Sequence, residues 1–351
     1  MTVLQSFWRS RRAVGFWLLG VAGIILAMIT VGGLTRITGS GLSITQWDPI
    51  MGAIPPLSDA AWAEAFARYR QIPQYIHENA GMSLEAFKGI FWWEWTHRLL
   101  GRLLGVLFFV PFVWFAWAGA IQRREWPRML VLFALGGLQG FVGWWMVQSG
   151  LETRDSVSQY RLAIHLGVAL ILLVAILWTA LEYIRKPPPE TLRVSTSPRW
   201  GGEKWALAFA GLVYFQMLLG ALVAGLHAGL IYNTWPSMDG RVFPEGAFFL
   251  SPWWINFFEN AGLAQFDHRI GAYTIAAAAI FIAISARRRT GLARRSGTAL
   301  LHLTLLQVAL GIITLLLQAP EYLAALHQLV AALLLCAAVW HVFERRYASN
   351  A

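Results

Sequence analysis

Eight long apolar segments constrain this sequence more than any other feature. Hydrophobic residues make up 57% of its 351 positions and charged residues 13%, whereas a soluble protein carries about a quarter charged residues. Each segment has about 20 residues or more, which is the length of a helix that crosses a bilayer. The segments are 13–34, 89–118, 129–149, 161–183, 205–226, 263–285, 297–318 and 323–342. They predict an all-α integral membrane protein with eight transmembrane helices.

The basic residues indicate how these helices are oriented. Most of the 28 Lys and Arg residues lie in the termini and in every second connection, at 1–12, 119–128, 184–204, 286–296 and 343–351. Cytoplasmic segments carry such an excess, so both termini are predicted to be cytoplasmic. The net charge of +10 follows from this topology and does not indicate a nucleic-acid partner.

Two connecting segments have distinct compositions. In the outer segment 35–88, Trp62, Phe66 and Tyr69 share one face of a predicted helix, which we expect to lie on the outer membrane surface. The stretch 187–204 is rich in proline and predicts a cytoplasmic linker between an N-terminal unit, 1–186, and a C-terminal unit, 205–351.

The two units resemble each other in sequence. The second and sixth spans contain THRLLG and DHRIGA, and the third and seventh contain LQGFVG and LQVALG. The fourth and eighth spans each carry Trp thirteen residues after His. Because each unit has an even number of spans, both units cross the membrane in the same orientation. The pattern therefore predicts two tandem four-helix bundles related by a pseudo-twofold axis along the membrane normal.

Four of the eight histidines recur in this repeat and are predicted to lie in one layer near the outer surface. They are His97, His165, His268 and His327. Two imidazoles on facing helices of a bundle commonly hold a haem iron from both sides. Zinc is disfavoured because the single cysteine, Cys336, lies elsewhere and further carboxylates do not converge. The alternative for each histidine is a packing or proton-relay role. His341, fourteen residues after His327, is interpreted as an interfacial residue.

Charged residues beside the histidines differ between the units. Arg98 and Arg269 directly follow predicted ligands, and they could pair with haem propionates or with neighbouring helices. Glu94 lies one turn before His97, whereas the matching position in the other unit is Gln265, an amide of the same shape. The asymmetry suggests chemistry in the first unit and a resident cofactor in the second.

Several motifs together resemble the haem A synthase family, in its mitochondrial and alphaproteobacterial branch. They are the Glu-x-x-His-Arg motif at 94–98, VGGLTRITGSGLS at 31–43, SVSQYRLAIHL at 156–166, AGLHAGLIYNTWP at 224–236, FENAGLAQFDHRI at 258–270 and LAALHQ at 323–328. The resemblance runs from the first span to the last. The cysteine pair found in the first outer loop of some bacterial members is absent from this sequence.

The resemblance implies a bacterial inner-membrane oxidoreductase that converts haem O to haem A by oxidising the C8 methyl group to a formyl group. His97 and His165 would hold the substrate haem, His268 and His327 would hold haem b, and Glu94 would be the catalytic carboxylate.

Implied partners are membrane lipid, haem O synthase, cytochrome oxidase assembly factors and further copies of the chain. Two alternatives remain at this stage: a b-type cytochrome that only transfers electrons, and a haem transporter.

Overall fold

In a computed structural model, the described residues are 10–152, 154–185, 201–288 and 290–348. Within these ranges the chain forms eight helices that are long and apolar enough to cross a membrane. They are α1 Arg11–Ile37, α2 Leu84–Trp117, α3 Trp126–Leu151, α4 Gln159–Ile184, α5 Gly201–Gly225, α6 Ala261–Arg287, α7 Gly291–Leu316 and α8 Glu321–Ala348. The predicted fold class and number of spans are confirmed.

The helix ends differ from the predicted spans where polar residues extend a helix beyond its apolar part. Helix α2 begins five residues before the predicted span, because the Ser83 side chain accepts a hydrogen bond from the Ala86 N–H and caps the first turn. His97 therefore lies thirteen residues into α2, whereas the other three repeated histidines lie six or seven residues into their helices. Hydropathy alone does not detect such polar first turns.

The long helices pack as two groups in chain order. Helix α1 contacts α2 and α4, and α3 contacts α2 and α4; in the second half, α5 and α7 each contact α6 and α8. The groups meet where α4 packs against α5 and α8 and where α1 packs against α8. The same neighbour relations thus occur in both halves, and the pseudo-twofold axis stays a prediction. The division into units 1–186 and 205–351 also stays a prediction, since 187–200 of the proposed linker lies outside the described residues.

The predicted amphipathic helix in the outer segment exists, at Asp59–Tyr69, but its apolar face is covered by protein. Trp62 and Tyr69 are buried, and their rings pack against Phe91 and Phe87 at the start of α2. The expectation that this face lies on the membrane is therefore wrong. The extended N-terminal turns of α2 supply the aromatic surface that replaces lipid.

Candidate functional site

Each of the four repeated histidines lies against a glycine of the preceding long helix. A Cβ atom added at any of these glycines would come within 3.2 Å of the imidazole Cε1. The pairs are Gly32 with His97, Gly143 with His165, Gly220 with His268, and Gly311 with His327. At Gly32, Gly143 and Gly311 the distance is below 3.0 Å, so a side chain there would force the imidazole to shift; at Gly220 it is 3.2 Å, which is tight.

His268 and His327 face each other in the second half of the chain. Their ring centres are 6.4 Å apart and the rings are nearly perpendicular. Metal–nitrogen bonds to imidazole are about 2 Å long, so an ion midway between two opposed imidazoles leaves their ring centres roughly 6 Å apart. The separation fits a metal held by both rings, as the predicted within-unit pairing requires. In the first half, His97 and His165 are near enough to interact electrostatically.

A metal cluster of another kind is not formed by the described residues. No three of their His, Cys, Asp or Glu side chains come together as candidate ligands. A haem takes only two ligands from the protein, so the predicted haem ligation does not require such a cluster.

Glutamine side chains contact three of the four imidazoles, a feature that the sequence analysis did not include. The amide nitrogen of Gln216 lies 3.0 Å from Nδ1 of His268 and donates to the His268 carbonyl at 2.7 Å. Gln139 contacts His165 in the same two ways, each at 3.1 Å. Gln307 lies 3.3 Å from Nε2 of His327. A signal was present, since QGFVG, QMLLG and QVALG place Gln four residues before the glycine each time.

Glu94 is buried and accepts four hydrogen bonds. Its Oε1 accepts from Nε and Nη2 of Arg98 at 3.0 and 2.6 Å. Its Oε2 accepts from the Ser43 hydroxyl at 2.7 Å and from the Ile44 backbone N–H at 2.8 Å. Two carboxylate oxygens offer about four lone-pair positions, so the hydrogen-bonding capacity of Glu94 is filled.

Gln265 occupies the matching position in α6, but the backbone groups around it are hydrogen-bond acceptors and not donors. Its amide N–H groups donate to the carbonyl oxygens of Ala228 and Tyr232, at 2.8 and 3.3 Å, and its Oε1 accepts from Arg269. The loop after α5 thus presents acceptors, whereas the loop after α1 presents the donors of Ser43 and Ile44 to Glu94. Glu and Gln have the same shape, but exchanging them would set a donor against a donor at position 94 and an acceptor against an acceptor at position 265.

Both arginines bind the loops that cover the site. Besides its ion pair with Glu94, Arg98 donates to the carbonyls of Ile44 and Gln46. Arg269 donates in the same way to the carbonyls of Tyr232 and Ser237. These contacts are with loop carbonyls and, for each arginine, with the residue one turn earlier on its own helix. Pairing with a neighbouring helix and pairing with a haem propionate both stay predictions.

The two histidine pairs are connected through adjacent glycines of α1. Gly32 contacts His97, and the next residue, Gly33, contacts the side chain of Gln328, which directly follows His327. The Gln328 amide also donates to the Ile29 carbonyl at 3.0 Å. His97 of the first half and Gln328, the residue after His327 in the second half, therefore approach the same two-residue segment of α1.

The other histidines have local partners or face outward. His341 is buried and bonded to the Ser296 hydroxyl at 2.8 Å, which gives it a packing role in place of the interfacial one expected. His77 pairs with Asp155 between the segments that follow α1 and α3, and His302 is exposed on α7. His227 contacts the Arg36 guanidinium between the two halves, where burial and that charge lower the pKa of His227.

Comparison with known proteins identifies the family. The family model described as cytochrome oxidase assembly protein matches residues 15–339. The chain belongs to this cytochrome oxidase assembly family. It is 48% identical over 333 residues to a heme A synthase of Parvibaculum lavamentivorans, which covers 95% of this chain and 94% of the relative. It is 50% identical over 347 residues to a heme A synthase of Caulobacter sp.; the match covers 97% of this chain and 99% of the relative. It is 51% identical over 342 residues to a heme A synthase of Rhodopseudomonas palustris, strain CGA009; the match covers 95% of this chain and 90% of the relative.

In this member of the cytochrome oxidase assembly family, the candidate site consists of four histidine–glycine contacts and of loops that are hydrogen-bonded to Glu94, Gln265 and the two arginines. The resemblance inferred from the motifs is confirmed by these relatives, which include alphaproteobacteria. The sequence analysis missed the four glycines, the three glutamines and the donor loop at Ser43 and Ile44. Their roles depend on which helices become neighbours.

Proposed function

We propose that the chain is a haem A synthase, the activity that names its relatives. The observation that carries the proposal is the sequence identity to these relatives, which is about 50% over at least 95% of this chain. The paired histidines of each half supply a site of the right chemistry. Haem O is then the substrate and haem A the product.

The reaction we propose is the oxidation of the C8 methyl group of haem O to a formyl group, which makes the chain an oxidoreductase. In balanced form, R–CH3 and H2O give R–CHO, four protons and four electrons. We propose that water supplies the oxygen atom and that an external electron acceptor takes up the four electrons. A group that stabilises positive charge at the methyl carbon would assist the attack of water.

His97 and His165 are proposed to hold the substrate, and His268 and His327 to hold haem b. The 6.4 Å between the ring centres of His268 and His327 supports the second assignment. When bound, haem b supplies reversible one-electron chemistry. The protein's contribution is to orient each imidazole through a glycine contact and, at three of the four, a glutamine amide.

Glu94 is proposed to be the catalytic carboxylate, and its contacts favour one of its two possible roles. As a proton acceptor it would first have to lose one of its four hydrogen bonds. As a fixed negative charge that stabilises a developing cation it needs no such change. Preorganised charge of this kind is commonly the largest contribution to catalysis.

The surroundings are proposed as follows. The chain lies in a bacterial inner membrane with cytoplasmic termini and with its haem sites near the outer face, as the distribution of Lys and Arg indicates. Arg98 and Arg269 already donate hydrogen bonds to loop carbonyls. They would bind haem propionates only through N–H groups that are not used in those hydrogen bonds. Haem O synthase, oxidase assembly factors and other copies of the chain are the proposed partners.

One experiment separates this proposal from the two alternatives. The chain is expressed in cells that contain haem O synthase but lack another haem A synthase, and the haems are extracted and separated by chromatography. A haem A synthase yields haem A. A b-type cytochrome or a haem transporter leaves haem O and haem b unchanged, and that result would contradict the proposal.

A further inference from the structure

Helices α2 and α3 contact each other at fewer places than α6 and α7, the corresponding pair in the second half. Aromatic rings join α2 to α3 where Phe109 and Phe108 meet Phe133, with ring centres 5.3 and 6.1 Å apart. Because α2 ends at Trp117 and α3 begins at Trp126, these rings lie in the parts of both helices that are close to the 119–128 connection. The two helices are thus fastened to each other on the predicted cytoplasmic side.

Beyond these rings, the side of α3 that faces α2 carries glycines. Gly136 and Gly140 lie three and seven residues after Phe133, so all three residues share one side of the helix. Both glycines are exposed. Apart from the surrounding turns of α3, a Cβ atom added to either would have no atom of the described residues within 4 Å. Small residues usually let membrane helices pack closely, but here the neighbouring helix does not fill the space.

The facing side of α2 is similar. Gly105 and Gly101 lie three and seven residues before Phe108 and share its side of the helix. A Cβ atom at Gly105 would also meet open space within the described chain, and at Gly101 the nearest atom is the methyl carbon of Met28, at 3.6 Å. The sides of α2 and α3 that meet at the phenylalanines therefore border an open crevice.

This crevice leads to the predicted ligands of the substrate haem. His97 lies one turn beyond Gly101 on α2, and Gly143, three residues beyond Gly140 on α3, contacts the imidazole of His165. A group that enters between the two helices therefore arrives beside both histidines.

The first outer loop covers the far end of the crevice. The ring of Trp47 in this loop lies 6.3 Å from the ring of Trp144 on α3, and the Arg98 guanidinium of α2 lies 5.9 Å from the Trp47 ring. From Phe133 to Trp144, α3 rises about 16 Å. The crevice is therefore long and bounded by aromatic rings at both ends, and its exposed glycines leave it accessible from the side that faces lipid.

Larger side chains occupy the same positions in the second half. The sequence LQGFVG of α3 matches LQVALG of α7, so Gly136 and Gly140 correspond to Thr304 and Val308. Thr304 is buried and Val308 is half-buried, whereas both glycines are exposed. The closer contact of α6 with α7 agrees with this difference. Space that is open in the first half is therefore filled in the second.

We propose that the crevice between α2 and α3 receives the isoprenoid chain of haem O and so selects prenylated haem for the first half. This rests on the proposed function and on ligation by His97 and His165. Haem O carries a long isoprenoid chain on its porphyrin ring, and haem b does not. An apolar crevice beside the ring removes that chain from contact with solvent, whereas Thr304 and Val308 occupy the corresponding space around haem b.

The test gives α3 the residues that α7 has at these two positions. Gly136→Thr and Gly140→Val place side chains in the crevice, where the structure shows space for the added Cβ. Ala134→Val is the matched control, because Ala134 is exposed and lies two residues before Gly136, on nearly the opposite side of α3. Each full-length variant is purified with its haem b from cells that lack haem O synthase, and a low-spin haem b spectrum shows that it has folded.

Haem O or haem b is then added in detergent, and the absorbance change gives the dissociation constant of each. We expect Gly136→Thr and Gly140→Val to weaken the binding of haem O by about 10-fold or more, because losing the burial of about two CH2 groups already corresponds to this factor. The binding of added haem b should not change. Ala134→Val should change neither dissociation constant.

Unchanged affinity for haem O in both crevice variants would overturn the proposal and would indicate that lipid alone occupies the crevice. Equal weakening of haem O and haem b would also overturn it, since the porphyrin ring and not the chain would then lie there. If one variant loses its haem b spectrum, the other decides. Binding does not depend on turnover, so the expected affinities without any haem A formation would contradict the proposed function and leave this inference intact.

Discussion

Replacing Glu94 with Gln tests whether the charge of this carboxylate drives the reaction. The substitution keeps the shape of the side chain but gives it one oxygen and one NH2 group. If the amide oxygen keeps the hydrogen bond from Arg98, the NH2 group takes the place of Oε2 and faces the Ile44 N–H. Two hydrogen-bond donors then oppose each other. The Ser43 hydroxyl can turn to accept, whereas the backbone N–H cannot. A buried N–H left without an acceptor costs about 1–3 kcal/mol.

This local cost is smaller than the expected loss of catalysis. A domain stable by about 5–15 kcal/mol stays folded after losing about 1–3 kcal/mol, so Glu94→Gln should still bind haem O. Loss of an essential charged group in catalysis commonly lowers the rate by about 10²–10⁴-fold, or about 3–5 kcal/mol of barrier. We therefore expect nearly unchanged haem content with haem A formation reduced at least 100-fold.

The assay measures haem content and haem A on the same membranes, with two matched controls. Ser43→Ala removes one hydrogen bond to Oε2 but keeps the charge, and it should retain most activity. Gln265→Glu sets a carboxylate oxygen against the Ala228 carbonyl, and it should weaken haem b binding without adding activity. Normal haem A from Glu94→Gln would refute the catalytic role. Equal damage from Ser43→Ala would show that the hydrogen-bonded loop, and not the charge, matters.

Three further predictions concern pairing, packing and topology. Replacing His268 with Ala should remove the haem b spectrum, whereas His97→Ala should leave it in place; the same partial loss from both would contradict pairing within each half. Gly33→Ala should lower the thermal stability of the haem b spectrum because its Cβ would overlap the Gln328 amide; an unchanged melting temperature would exclude this contact. A reporter fused within 119–128 should be cytoplasmic, and a periplasmic signal there would invert the proposed orientation.

The sequence by itself determined the fold class, the number of helices and the candidate ligands. Hydropathy is a sum over neighbouring residues, so eight spans can be recognised without knowing how they pack. The repeat identified His97, His165, His268 and His327 because both halves of the chain carry the same pattern. The helix at Asp59–Tyr69 was also predictable from its local periodicity.

Tertiary structure decided which partners these residues have. The apolar face of the Asp59–Tyr69 helix contacts Phe91 in the predicted span and also Phe87, which is helical because the Ser83 cap starts α2 before that span. In the sequence, Glu94 and Gln265 differ only in that Glu94 is ionisable. In the structure, their surroundings also differ, because the loop at Glu94 supplies hydrogen-bond donors and the loop at Gln265 supplies acceptors. Hydrogen-bond polarity depends on residues distant in the chain that become neighbours only when the helices pack, which is why local patterns could not reveal it.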